Sequence, residues 1–138
     1  MPFKVKKKTP NNHLYLFGNG EIAELTHYYF ANDSGYDVKG FVCDAEFINQ
    51  TSFVGLPLYT WEEFIIKVNP QETNLHIALS YRGLNKYRRE KYQLAKKMGF
   101  SFATYVSSKS TILKNVQIGE NCLILENQVL QNNVEIGN

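Results

Sequence analysis

Short apolar runs separated by polar stretches set the rhythm of the first hundred residues. His13 to Phe17 reads His-Leu-Tyr-Leu-Phe, Val38 to Cys43 reads Val-Lys-Gly-Phe-Val-Cys, and Leu75 to Ser80 reads Leu-His-Ile-Ala-Leu-Ser. Each predicts a short buried strand, and Phe102 to Val106 predicts a last one. Between them the spacing turns helical. Ile22, Leu25 and Tyr29 predict a helix over Ile22 to Ala31. Leu84, Tyr87, Leu94, Ala95 and Met98 predict the core face of a second helix, from Leu84 to Met98, stopped by Gly99. Thr60-Trp61-Glu62-Glu63 is a capping box that opens a further helix, which stops before Pro70. Strands alternating with helices, without a hairpin turn signal, predict an α/β fold: a small Rossmann-like parallel sheet with flanking helices over residues 13–106. Residues 1–12 are expected to form a basic leader with an irregular or frayed end.

Near Ser107 the period changes. Val106, Ile112, Ile118, Ile124, Leu130 and Ile136 stand six apart, and so do Asn115, Asn121, Asn127 and Asn133. Neither a helix nor a single strand generates a sixfold repeat. A parallel β-helix does, with one short strand and one corner per hexapeptide and the aliphatic residue turned inward. Asparagine suits the corners because it tolerates left-handed backbone angles. Residues 107–138 are therefore expected to form the first coils of a left-handed parallel β-helix. At three hexapeptides per coil, Ile112 to Asn138 supplies about one and a half coils, fewer than a free-standing solenoid needs. The expectation is a truncated β-helix, the alternative a short protein whose last coil is closed by a partner subunit.

Composition narrows the function classes. With 43% apolar and 20% charged residues, the chain is neither disordered nor of low complexity. A formal charge of +2 gives no ground for nucleic-acid binding, and no apolar run is long enough to span a bilayer. Met1 to Lys8 carries four lysines without an apolar stretch behind them, so it is not read as a signal peptide. Cys43 and Cys122, far apart in unlike contexts, fit a cytoplasmic compartment better than a disulfide framework.

Three constellations carry candidate chemistry. Gly18-Asn19-Gly20-Glu21-Ile22-Ala23 fits G-x-G-x-x-A between a strand and a helix, where the backbone passes close to a diphosphate and free N–H groups face it. Glu21 in the first helical turn would repel a phosphate, which weighs against a full nicotinamide-type clamp. Asp44 closes the second strand where a carboxylate accepts hydrogen bonds from a ribose or base. Ser80, Tyr81, Arg82 and Asn85 follow the third strand, on the rim where open α/β sheets bind ligands. Seven basic residues against Glu90 lie between Arg82 and Lys97, mostly as a solvated helix face. His13, His27 and His76 suit structural roles, and neither a metal-ligand spacing nor a nucleophile elbow is present.

A nucleotide-type α/β unit joined to hexapeptides resembles the bacterial sugar acyltransferases of the NeuD/PglD type. The resemblance rests on Leu16-Phe17-Gly18-Asn19-Gly20, Phe41-Val42-Cys43-Asp44, Ile77-Ala78-Leu79-Ser80 with Asn85 and Arg88, and the run from Ile118-Gly119-Glu120-Asn121. It implies an α/β domain that holds a nucleotide-activated sugar and a β-helix that trimerises and takes acetyl-CoA between subunits. It also implies a histidine base in the early coils, which on this alignment falls beyond Asn138. Gly18, Asn19, Gly20, Glu21, Asp44, Ser80, Tyr81, Arg82 and Asn85 are then the expected nucleotide-sugar contacts, with no catalytic residue in this chain and no metal. The glycine turn departs from the family pattern in lacking its third glycine and histidine. A nicotinamide-dependent Rossmann oxidoreductase and a non-catalytic assembly module are the alternatives.

Overall fold

The computed structural model describes residues 9–138, so the lysines of the leader lie outside the described residues. Strand β1 (His13–Phe17) runs into helix α1 (Glu21–Asn32), followed by β2 (Asp37–Cys43), β3 (Ser52–Phe53) and β4 (Leu56–Thr60). Helix α2 (Trp61–Lys67), strand β5 (Asn74–Ile77), helix α3 (Lys86–Lys97) and β6 (Ser101–Phe102) complete the α/β unit. The sheet order is β3-β4-β2-β1-β5-β6, parallel throughout except at the β3 edge.

Alternating side chains of β1 feed two cores. Leu14 and Leu16 pack with Ala23, Phe30 and Phe41 under α1. Phe17 packs on the other face with Trp61, Phe64, Ala95 and Phe100, beneath α2 and α3. Phe64 is fully buried, with ring centroids 4.9 Å from Tyr15 and 5.5 Å from Phe100. The leader's end is not frayed: Thr9 is buried and donates to Asn74 Oδ1 at 2.9 Å.

The capping box forms as the sequence predicts. Glu63 N–H donates to Thr60 Oγ1 at 3.2 Å, and the Glu63 carboxylate accepts from Thr60 N–H at 2.9 Å. Two orphan donors at the start of a seven-residue helix are thus satisfied. Thr60→Ala is expected to lower stability by about 1 kcal/mol, read as a reduced urea midpoint; an unchanged midpoint would show that the cap contributes nothing.

Three expectations need correction. The sheet does contain a hairpin: β3 and β4 pair antiparallel through Val54 and Gly55, at φ 50° and 77°. Both central residues are left-handed, as a two-residue hairpin turn demands, but valine hides the signal that asparagine would give. Helix α3 starts at Lys86, because Gly83, Leu84 and Asn85 are all left-handed, at φ 61°, 54° and 63°. Leu84 is therefore 94% exposed rather than core-facing, and Leu94 and Met98 are 41% and 37% exposed. Finally, Phe102 to Val106 is two strands, β6 and β7 (Tyr105–Val106), in different sheets.

Beyond β7 come β8 (Thr111–Ile112), β9 (Gln117–Ile118), β10 (Leu123–Ile124), β11 (Val129–Leu130) and β12 (Glu135–Ile136). They form three parallel two-stranded ladders, β7 with β10, β8 with β11 and β9 with β12, each joining residues eighteen apart. Every periodic aliphatic residue is the second of its strand and half-buried, whereas Thr111, Gln117, Val129 and Glu135 beside them are exposed. Asn115, Asn121, Asn127 and Asn133 are all left-handed, at φ 59°, 58°, 63° and 63°.

Candidate functional site

From β1 the chain crosses to β2 on one side, while β5 is added on the other side of β1. The connections leaving β1 and β5 therefore diverge, and a crevice opens at their C-terminal ends, where open α/β sheets bind ligands. Its volume is about 680 Å³. The glycine turn forms one wall, with Gly18, Asn19, Gly20 and Glu21. Ala78, Leu79, Ser80, Tyr81 and Arg82 form the opposite wall, and Cys43, Phe47 and Tyr87 close the base.

The two walls meet at Gly18. A Cβ there would lie 2.5 Å from the carbonyl oxygen of Ala78 and 3.3 Å from Ala23 Cβ, at a backbone φ of 139°. Only glycine fits, and the alanine that ends G-x-G-x-x-A is fully buried so that α1 can approach β1. Gly20 is different: a Cβ on it would meet nothing within 4 Å. It serves as N-cap of α1 without a side-chain cap, and the first turn it opens, with Glu21 and Ile22, lines the crevice. Asn19 Nδ2 donates to the Phe47 carbonyl at 3.1 Å and ties the turn to the segment after β2.

Asp44 does not line the crevice. Its Oδ1 accepts from Lys91 Nζ at 2.6 Å, and its Oδ2 accepts from the Tyr87 hydroxyl. Both partners stand on α3, and the ion pair is mostly shielded, with side chains 18% and 17% exposed. Lys91 Nζ also lies over the rings of Phe17 and Tyr87, 5.6 Å and 5.5 Å from their centroids. Burial, and then the bond to Asp44, push the Tyr87 hydroxyl far above its ordinary pKa, so it stays a donor. The carboxylate thus anchors α3 beneath the crevice and holds Tyr87 in its floor. Asn85 also lies outside the lining; it is the left-handed residue before α3 and caps nothing with its side chain. Tyr81, 82% exposed, and Arg82 stand at the rim.

None of the three histidines lines the crevice. His13 opens β1, at the strand end away from it. His27, on α1, packs against the Phe41 ring, with its pKa lowered by burial. His76 is 2% exposed, and burial lowers its pKa to about 4. Among the described residues, no group of three His, Cys, Asp or Glu side chains is placed to hold a metal ion, and no helix is long and apolar enough to cross a membrane.

No protein-family model matches the chain, and no curated protein matches it in sequence. Solved structures do. PerB from Caulobacter crescentus, a perosamine N-acetyltransferase in complex with CoA and GDP-perosamine, superposes with a TM-score of 0.75 at 19% identity, over 91% of this chain and 57% of its own. The acetyltransferase domain of PglB from Neisseria gonorrhoeae gives 0.75 at 21% identity, over 92% and 60%. WeeI from Acinetobacter baumannii gives 0.61 at 22% identity, over 80% and 51%. The chain has the fold of the parts of these structures that it matches. It spans less than two thirds of their lengths.

Some crevice residues are invisible to sequence reasoning. Phe47 lies in a one-turn helix that no pattern announces, and Cys43 is simply the end of a strand. Tyr87 reads as a core position by helical spacing, and only its hydroxyl contact with Asp44 brings it to the crevice floor. Asn121, found by its sixfold spacing, bonds to β5 across the fold: Ile77 N–H donates to its Oδ1 at 2.6 Å.

Proposed function

We propose that this chain is the nucleotide-sugar-binding part of a sugar acyltransferase that moves an acetyl group from acetyl-CoA to an amine or hydroxyl of its substrate. One observation carries the reading. The glycine turn and the Ser80 to Arg82 loop, read separately from the sequence as nucleotide contacts, face each other across a single crevice at the strand switch point. The likeness to an acetyltransferase that holds CoA and GDP-perosamine supports it.

The crevice suggests how a nucleoside diphosphate would sit. Backbone N–H groups at the start of α1 and the Arg82 guanidinium attract phosphate, while the Glu21 carboxylate repels it. The diphosphate therefore leans away from Glu21, toward the β5 side, and Phe47 and Tyr87 offer ring surface to a base. Asp44 contributes by fixing Tyr87 rather than by touching the nucleotide. Residues 13–106 are the binding unit in this reading. Residues 107–138 are the first coils of a left-handed β-helix: ladders at an eighteen-residue offset and left-handed asparagine corners are what three hexapeptides per coil require. We place the acetyl-CoA site and a homotrimer contact on that β-helix, in a cytoplasmic enzyme.

Binding is the direct test. At a GDP- or UDP-linked sugar concentration about a hundred times the Kd, the folded chain is expected to gain about 2.7 kcal/mol, seen as a raised melting temperature, and NADH should give no such rise. A response to NADH and to no nucleotide-sugar would replace this reading with that of a nicotinamide-dependent oxidoreductase.

A further inference from the structure

The four corner asparagines share a spacing and a backbone conformation, but one of them is placed differently. Asn115, Asn127 and Asn133 are exposed, whereas Asn121 is 1% exposed and turned toward the sheet. Strand β6 leaves β5 early: its register covers Asn74 and Leu75, and Ala103 N–H still donates to Leu75 O at 2.8 Å. Ile77 is left without a strand on that side. The Asn121 amide takes the strand's place, its Oδ1 accepting from Ile77 N–H at 2.6 Å and its Nδ2 donating to Ile77 O at 3.4 Å. Arg88 on α3 donates to the Asn121 carbonyl at 2.7 Å and locks the corner from the other side.

The residue after Ile77 is Ala78, whose N–H donates to Phe17 O at 2.8 Å and whose carbonyl is the atom that excludes a side chain at Gly18. From Ala78 to Arg82 the chain is the crevice wall. We propose that Asn121 is a positioning residue for the crevice: a corner of the hexapeptide repeats acts as the missing β partner of β5 and so sets the wall opposite the glycine turn. The proposal rests on the nucleotide-sugar reading of the crevice and adds to it that affinity depends on a side chain supplied by the repeats. Two hydrogen bonds to a buried amide give this contact its leverage, because a buried donor left unpaired is costly.

Asn121→Gly and Asn127→Gly separate the side chain from the corner, because glycine keeps the left-handed conformation at both sites. GDP-mannose and UDP-N-acetylglucosamine are titrated calorimetrically into the full chain, well below its melting temperature, and exchange of the Ala78 amide is followed without ligand. Asn127→Gly is expected to match the wild type in both. Asn121→Gly should bind about tenfold more weakly and exchange Ala78 about tenfold faster. Should Asn121→Gly fail to fold, Asn121→Asp keeps the acceptor for Ile77 N–H, loses the donor, and is expected to give a smaller loss in the same direction. Affinity equal to that of Asn127→Gly overturns the positioning role. If neither probe binds the wild-type chain, the nucleotide-sugar reading fails by itself; Ala78 exchange then decides, with equal rates in the two glycine variants overturning the proposal.

Discussion

Gly18→Ala is expected to destabilise the chain by about 3 kcal/mol or more and to abolish binding in the crevice. The cost has two sources. A Cβ at this position lies 2.5 Å from the Ala78 carbonyl oxygen, a backbone atom in a parallel ladder that cannot swing aside. Forcing atoms into a packed interior costs about 1–3 kcal/mol. A side chain at φ 139° adds about 1–3 kcal/mol of backbone strain. Any relaxation must push β1 and β5 apart where the crevice walls meet, so affinity falls together with stability. A drop of about 10 °C in melting temperature is the expected readout. Gly20→Ala is the matched control for stability: its Cβ meets nothing within 4 Å at φ −112°, so it should melt close to wild type. Equal melting of the two variants would mean that the walls do not meet as described.

The second large effect is a loss of stability in mild acid carried chiefly by His76, with a smaller contribution of the same sign from His27, whose pKa burial also lowers. His76 lies in β5 with Nδ1 2.9 Å from the Ala103 carbonyl and its ring edge-on to Phe30 at 5.3 Å. Facing an acceptor, Nδ1 carries the proton of a neutral imidazole. Burial disfavours a second proton and the nearby Arg88 adds to the penalty, while the bond to Ala103 opposes both; the net result is a pKa of about 4 against an ordinary 6.5. The unfolded chain therefore binds more protons than the native one between these two values, and stability falls as pH falls through that window. It is fully present above pH 6.5 and exhausted near pH 4, an expected loss of about 3 kcal/mol. Asp33, held low by bonds from Ser108 and Tyr105 against partial desolvation, and Glu126, held low chiefly by Tyr29, lose their contributions as pH falls from the ordinary carboxylate value toward their own lower ones. Urea unfolding at pH 7 and pH 4.5 should show a steep difference for the wild type and a much flatter one for His76→Gln. Parallel pH profiles would place the charge penalty elsewhere.

These effects divide into what one-dimensional pattern exposes and what it hides. The alternation of Leu14 and Leu16 with Tyr15 and Phe17, the Thr60–Glu63 box and the sixfold aliphatic spacing are local regularities. Their periods are set by backbone geometry, so the strands, caps and ladders they predict are found at those residues. The glycine turn is equally local, and its place beside β5 follows from the crossover topology. Asp44 shows the limit. Its position after β2 is the same whether it meets a ribose or a lysine, and only the packing of α3 brings Lys91 and Tyr87 to it. The apolar stripe of α3 departs from the sequence spacing for a related reason, since three left-handed residues delay the helix and leave Leu84 in solvent.

The amino-acid sequence alone determined the alternation of β1, α1, β2, α2, β5 and α3, the change of period near Ser107 and the crevice's two walls, because each rests on spacing within one short segment. Tertiary structure decided which polar groups are left for a ligand and which are consumed by the protein. Asp44 and Asn121 were committed to partners forty or more residues away, Lys91 and Ile77. Hydrogen-bond pairing of buried groups is a property of the folded interior, where an unpaired donor is costly, and no local pattern records which distant strand or helix will supply the partner.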